Sequence, residues 1–130
     1  MKRLLLTIIA CFAFVGASMA QSALERADSL YDSGNYEEAF KLYRQCAENG
    51  DSIAYNRLGF MYQSGEGVEK DEKEAFRLYM ISAEMGYPKA QANVATAYAY
   101  GIGVEADEEK AIEWYTKALD NGFDEAMMAL

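Results

Sequence analysis

Residues 54–89 read AYNRLGFMYQSGEGVEKDEKEAFRLYMISAEMGYPK, and residues 90–125 read AQANVATAYAYGIGVEADEEKAIEWYTKALDNGFDE. Laid one over the other, they are identical at eleven of 36 positions: Ala54/Ala90, Tyr62/Tyr98, Gly65/Gly101, Gly67/Gly103, Val68/Val104, Glu69/Glu105, Asp71/Asp107, Glu72/Glu108, Ala75/Ala111, Tyr79/Tyr115 and Gly86/Gly122. Composition alone would give about two or three. Self-similarity at a period of this size marks a stacked-repeat architecture.

Working outward, an earlier copy appears with a shorter loop. Tyr31-Asp32-Ser33-Gly34 stands where Tyr62-Gln63-Ser64-Gly65 stands, and Ala39, Tyr43, Ala47 and Gly50 stand where Ala75, Tyr79, Ala83 and Gly86 stand. From the loop glycine to the alanine the spacing is five residues in the early copy and ten in the next. A further copy opens at Asp124-Glu125-Ala126 and runs to Leu130.

Each period reads as two helices. Tyr55, Leu58, Gly59 and Tyr62 follow the spacing of one helical face, and Ala75, Leu78, Tyr79 and Ser82 follow it again. Gly65 and Gly101 end the first helices, because glycine takes the left-handed conformation without a Cβ penalty. Gly50, Gly86 and Gly122 stop the second ones. Asp71 with Glu74, and Asn35 with Glu38, have capping-box spacing, whereas Asp107 is followed by Lys110 and keeps only the cap. Pro88 suits a first helical position. The expected helices are 22–33, 36–49, 52–64, 71–85, 88–100 and 107–121, with a stub at 124–130. Small residues (Ala39, Ala75, Ala111, Gly59, Ala95) mark close helix approach, and tyrosines at 31, 62, 98, 43, 79 and 115 fill the space beside them. One hairpin of this size cannot bury both its faces, so neighbours must cover them in a curved solenoid.

At the N-terminus, Lys2 and Arg3 precede an uncharged, mostly apolar run from Leu4 to Val15, then Gly16-Ala17-Ser18-Met19-Ala20. That order is the layout of a secretory signal peptide cut after Ala20. A cut after Ala17, an uncleaved anchor, and a lipoprotein using Cys11 after Ile8-Ile9-Ala10 are the other readings. Residues 1–20 are thus expected to be a signal peptide and 21–130 a repeat domain, with units near 22–50, 51–86, 87–122 and a partial one at 123–130. The expected location is secreted or periplasmic.

Without Lys2 and Arg3 the net charge moves from −9 to −11, ten Lys and Arg against twenty-one Asp and Glu. Such a surface repels nucleic acid and anionic lipid. No segment after the leader is apolar enough for membrane insertion. Cys11 leaves with the leader, and Cys46 alone cannot close an intramolecular disulfide. It reads as a buried inert thiol, with an exposed thiol pairing between chains as the alternative. The chain has no histidine, which removes Ser-His and Cys-His nucleophile pairs. Gly65-x-Gly67 and Gly101-x-Gly103 lack the strand and the Lys-Ser/Thr of a phosphate loop. The loop carboxylates do not have calcium-loop spacing and suit helix N-termini instead. No cofactor, metal site or catalytic residue is expected.

The stretches AYNRLGFMYQSGEGVEKDEKEAFRLYMISAEMG (54–86) and AQANVATAYAYGIGVEADEEKAIEWYTKALDNG (90–122) resemble Sel1-like repeats (SLR), and GNYEEAFKLYRQCAENG (34–50) resembles the related tetratricopeptide (TPR-like) repeat. The resemblance covers nearly all of residues 22–130. It implies an all-α fold, an α/α solenoid wound as a right-handed superhelix of three helix-turn-helix repeats plus a C-terminal helical stub. It also implies an adaptor or scaffold role. Some secreted relatives carry a cysteine pair in every unit, with a penicillin-binding activity attached to that subgroup; this chain lacks those pairs.

In related helical repeats the first helices line the concave surface. With Tyr55, Leu58, Gly59 and Tyr62 facing the core, the expected groove residues are Ile53, Asn56, Phe60 and Gln63, then Lys89, Ala92, Thr96 and Ala99 one period on, and Glu25, Ser29 and Asp32 in the first copy. Phe60 either anchors a peptide there or packs on the adjacent copy. The expected function is a non-catalytic module binding a protein or peptide partner through apolar contacts and side-chain amides. A secreted cell-wall-related or lactamase-like enzyme is the alternative. Met127, Met128 and Leu130 would leave an apolar C-terminal end, which invites self-association.

Overall fold

The computed structural model describes residues 22–124. The leader, and the expected stub from residue 125 on, lie outside the described residues. Among the described residues there are six helices and no strand: α1 (22–32), α2 (Tyr36–Glu48), α3 (Ser52–Ser64), α4 (Glu72–Glu84), α5 (Pro88–Tyr100) and α6 (Glu108–Asp120). They form three hairpins, and from α2 to α6 each helix packs on the next in chain order. This is the all-α helical-repeat solenoid expected from the period.

Stacking is carried by the small and aromatic positions of the repeat. Ala39, Tyr43, Cys46 and Ala47 of α2 share one buried cluster with Ala54, Leu58 and Met61 of α3 and Leu78 of α4. One unit later, Ala75, Tyr79 and Ala83 of α4 share another with Ala90, Val94 and Tyr98 of α5 and Ala111 of α6. α2 is therefore covered by α3 and α4 by α5, the first helix of the following unit in each case. Fully buried side chains such as Met61 and Val94 contribute about 2 kcal/mol each. Gly59 is where α3 and α4 come closest: a Cβ there would lie 2.7 Å from the Tyr79 ring.

Cys46, Ser82 and Ala118 occupy the same position in successive units, and all three are buried. Ser82 donates its hydroxyl to Ser52 O at 2.6 Å, tying α4 to the start of α3. Cys46 is a free thiol only 5% exposed. Burial, then the Asp51 and Asp28 carboxylates, push its pKa up, so it is an unreactive core residue. The exposed, chain-pairing alternative does not describe this thiol.

The loop after each first helix explains the repeated glycines. Gly65 and Gly101 adopt φ of 70° and 68° and close α3 and α5. The N–H groups of Asp71 and Asp107 then donate to Tyr62 O and Tyr98 O, at 2.9 and 2.8 Å. Val68 packs against the cluster built on α2, and Val104 against the one built on α4. Between them, Gly67 lies against the Tyr36 carbonyl and Gly103 against the Glu72 carbonyl, at the starts of α2 and α4. The five extra loop residues thus make an inter-unit contact.

Two capping expectations are corrected. Asn35 makes no side-chain cap. In the shortened loop its N–H donates to Leu30 O, and its amide turns to Ser33 Oγ. Asp71 does cap α4 through the Glu74 N–H at 3.1 Å, but the reciprocal half of the box is absent. The Asp71 N–H is already taken by Tyr62 O, and the Glu74 carboxylate binds Arg77 at 2.6 and 3.0 Å.

Candidate functional site

The first helices α1, α3 and α5 open onto a cleft of about 440 Å³, within the ~300–1,000 Å³ range of ligand-holding sites. From α1 come Asp28, Tyr31 and Asp32. Asn56, Arg57 and Phe60 come from α3, and Lys89 and Asn93 from α5. Tyr43 reaches in from α2.

The floor is polar and tightly tied. Tyr43 is 1% exposed and donates its hydroxyl to Asp28 Oδ1. Burial first, and then the Asp28 carboxylate, push the Tyr43 pKa upward, so the phenol stays a neutral donor. Asp28 also faces Arg57, whose Nε lies 3.3 Å from its Oδ1. That ion pair is not aligned as a hydrogen bond, and the Arg57 Nε–H has no acceptor. Asn93 donates to the Oδ1 of Asn56 at 2.9 Å, joining α3 to α5 across the cleft. Asn56 is 4% exposed.

The rim is aromatic. Phe60 is 47% exposed and meets Tyr31 edge-on at 6.5 Å between ring centroids; Tyr31 also contacts Tyr36 at 5.1 Å. Phe60 therefore lines the cleft and touches the neighbouring unit at once. Burial, then Glu66, push the Tyr31 pKa upward.

Of the residues expected in the groove, the structure brings together Asn56, Phe60, Lys89 and Asp32. Ile53, Gln63 and Thr96 do not line this cleft, which corrects their expected placement. Ile53 is partly buried at the start of α3, where its N–H is bonded by the Asp51 cap. Gln63 accepts from the Tyr79 hydroxyl at 2.8 Å, so its carbonyl serves its own hairpin. Thr96 and Ala99 line a second recess of about 520 Å³ at the C-terminal end, with Tyr100, Ile112 and Tyr115. Ala92 is buried against α6. Glu25 and Ser29 lie on α1 outside the cleft, Ser29 lining a separate recess between α1 and α2 with Leu30 and Leu42. Arg57, Asn93, Asp28, Tyr31 and Tyr43 were not among the expected groove residues. Arg57 and Asn93 are one period apart, and that equivalence was the signal available for them.

The recess at the C-terminal end has a plain structural meaning. Ala111 and Tyr115 are the equivalents of Ala75 and Tyr79, which α5 covers. At the recess, α6 presents the positions through which α4 packs on α5 one unit earlier. Ile112 and Tyr100 stand 61% and 79% exposed there.

The cleft offers rings, carboxamides and two formal charges of each sign, which equips it to hold a polar chain. Among the described residues no helix is long and apolar enough to cross a membrane.

The Sel1 repeat family model matches residues 20–51, 52–87 and 88–123. A search of curated proteins finds no match. Among solved structures, the chain is similar to a Sel1 repeat protein from Oxalobacter formigenes, with 36% identity, a TM-score of 0.77, and coverage of 85% of this chain and 47% of that one. It is also similar to c5321, a protective antigen of uropathogenic Escherichia coli strains displaying an SLR fold, with 30% identity, a TM-score of 0.74, and coverage of 83% and 24%. Cysteine rich protein B of Helicobacter pylori shares the fold at 22% identity and a TM-score of 0.65, with coverage of 72% and 70%. The chain thus spans less than half of the first of these structures and about a quarter of the second.

Proposed function

The chain belongs to the Sel1 repeat family, whose members generally mediate protein–protein interaction, and from that premise we propose that it is a non-catalytic binding module which holds a peptide segment of a partner in the cleft between α1, α3 and α5. The observation that carries this reading is Phe60. A large apolar ring left half in solvent, flanked by the buried Asn56 amide and the Asp28–Arg57 pair, is a surface waiting for a counterpart. A few buried anchor residues carry most of the binding energy of an interface. The apolar leader at residues 4–15 supports a location outside the cytoplasm, secreted or periplasmic.

The test is a pull-down from the native envelope with the full chain and with Phe60→Ala. Phe60 is half in solvent and meets Tyr31 edge-on, so its removal is expected to cost the fold about 1 kcal/mol. Removing an interface anchor weakens binding by roughly thirtyfold. Loss of the partner with little change in thermal stability supports the reading. Lower stability with undiminished partner capture contradicts it, and turnover of a chromogenic lactam by the pure chain would favour the enzyme instead.

A further inference from the structure

The cleft is electrically divided. Among the described residues, Asp32 on α1 is exposed and makes no ion pair, and Lys89 on α5 is half-buried and makes none either. The two line the same cavity without neutralising each other. Asp28 between them is already engaged, by the Arg57 guanidinium and by the Tyr43 hydroxyl. The open charges therefore sit at opposite walls, negative at the α1 side and positive at the α5 side. The rings of Tyr31 and Phe60 line the same cavity as Asp32, and aromatic faces beside a carboxylate favour an ammonium or guanidinium group.

Between the charges lies the carboxamide pair. The bond from Asn93 Nδ2 to Asn56 Oδ1 uses one donor and one acceptor. It leaves the Asn56 Nδ2 hydrogens as donors and the Asn93 Oδ1 as acceptor. A free amide NH2 beside a free carbonyl oxygen matches the acceptor and the donor of one peptide unit of an extended main chain.

We propose that the cleft selects a peptide segment carrying both signs of charge, laid across the first helices with a lysine or arginine side chain against Asp32 and a carboxylate against Lys89. This rests on the peptide-binding reading above and adds the chemistry and direction of the ligand. Charge-assisted bonds at the two ends fix the polarity of the bound chain, and the asparagine pair holds its backbone between them. Peptides that carry one sign of charge satisfy one wall and face a like charge at the other. The overall charge of −9 speeds the approach of basic partners, but Lys89 keeps a purely basic segment from settling.

The experiment pans a random peptide library displayed on phage against the full chain, then measures enriched peptides by fluorescence anisotropy. The expected peptides pair a basic residue with an acidic residue, or with a free C-terminus, at a fixed separation. Asp32→Asn and Lys89→Gln each weaken them by about tenfold. The double variant Asp32→Lys with Lys89→Asp prefers peptides in which the two charges are exchanged. Enriched peptides that are lost on Phe60→Ala but indifferent to Asp32→Asn and Lys89→Gln overturn the charge inference and leave the binding cleft standing. Absence of any enriched peptide, or binding indifferent to Phe60→Ala, overturns the cleft itself.

Discussion

Replacing Tyr79 by alanine is expected to lower the unfolding free energy by about 4 kcal/mol, the cost of removing a fully packed aromatic ring. Tyr79 is 3% exposed. It lies over Gly59 of α3 and is covered by Ala90, Val94 and Tyr98 of α5, so its loss opens the junction between two units. Its hydroxyl adds a bond to Gln63 at 2.8 Å, so Tyr79→Phe should cost only about 1 kcal/mol. The informative control is Tyr115→Ala. Tyr115 holds the same place one unit later but is only partly buried, with an edge contact to Phe123 at 6.0 Å. Half-burial predicts about 2 kcal/mol there. Urea unfolding of the three variants measures this. Equal losses at Tyr79 and Tyr115 would mean that coverage by the following unit does not stabilise the array.

The second large effect is expected at a glycine. Gly103→Ala should cost about 3 kcal/mol, combining a left-handed conformation that a Cβ disfavours with direct overpacking. At φ of 70° the new Cβ would lie 2.0 Å from the Glu72 carbonyl oxygen and 2.5 Å from its carbon. Those atoms begin α4, one residue after the Asp71 cap, so they cannot retreat without disturbing the helix start. Gly86 also has positive φ, 96°, yet a Cβ there meets nothing within 4 Å. Gly86→Ala should cost only about 1 kcal/mol. If the two substitutions lower the urea midpoint equally, the loop does not lean on the preceding hairpin.

That pair of glycines also shows what the amino-acid order makes legible. A period of 36 residues, glycines that stop helices and aspartates that start them are local chemistry, and the helices appear within a residue or two of the expected spans. The purpose of the second loop glycine is not local. It is set by a carbonyl one unit away, which no spacing within the loop reveals. Asn35 fails for a different local reason: its backbone sits at φ -83° and ψ 64°, off the extended conformation from which a side chain reaches the first turn, and its amide turns back to Ser33 Oγ.

The cleft was half legible, and the missing half follows from geometry. Adding one period finds residues in equivalent places, but the cleft does not run through equivalent places. It takes residues 28–32 of α1, which correspond to 59–63 of α3; it takes 56–60 of α3 itself; and it takes 89 and 93 of α5, which correspond to 53 and 57. At each helix it steps about one turn toward the N-terminus. A groove oblique to the helices therefore shares Asp32, Asn56, Phe60 and Lys89 with the equivalent-position reading. It excludes Gln63 and Thr96, which lie too far along their helices, and Ile53, which lies too near the start of its own.

The most direct test of the account is a titration of a cleft-selected peptide into the isotopically labelled chain, followed by backbone amide shifts. The prediction is an oblique track of perturbed amides from Asp32 through Asn56 and Phe60 to Lys89 and Asn93, with α2 and α6 unmoved apart from the surroundings of Tyr43. Shifts confined to the outer surfaces of α2, α4 and α6, or to the C-terminal recess around Tyr100 and Ile112, would contradict it.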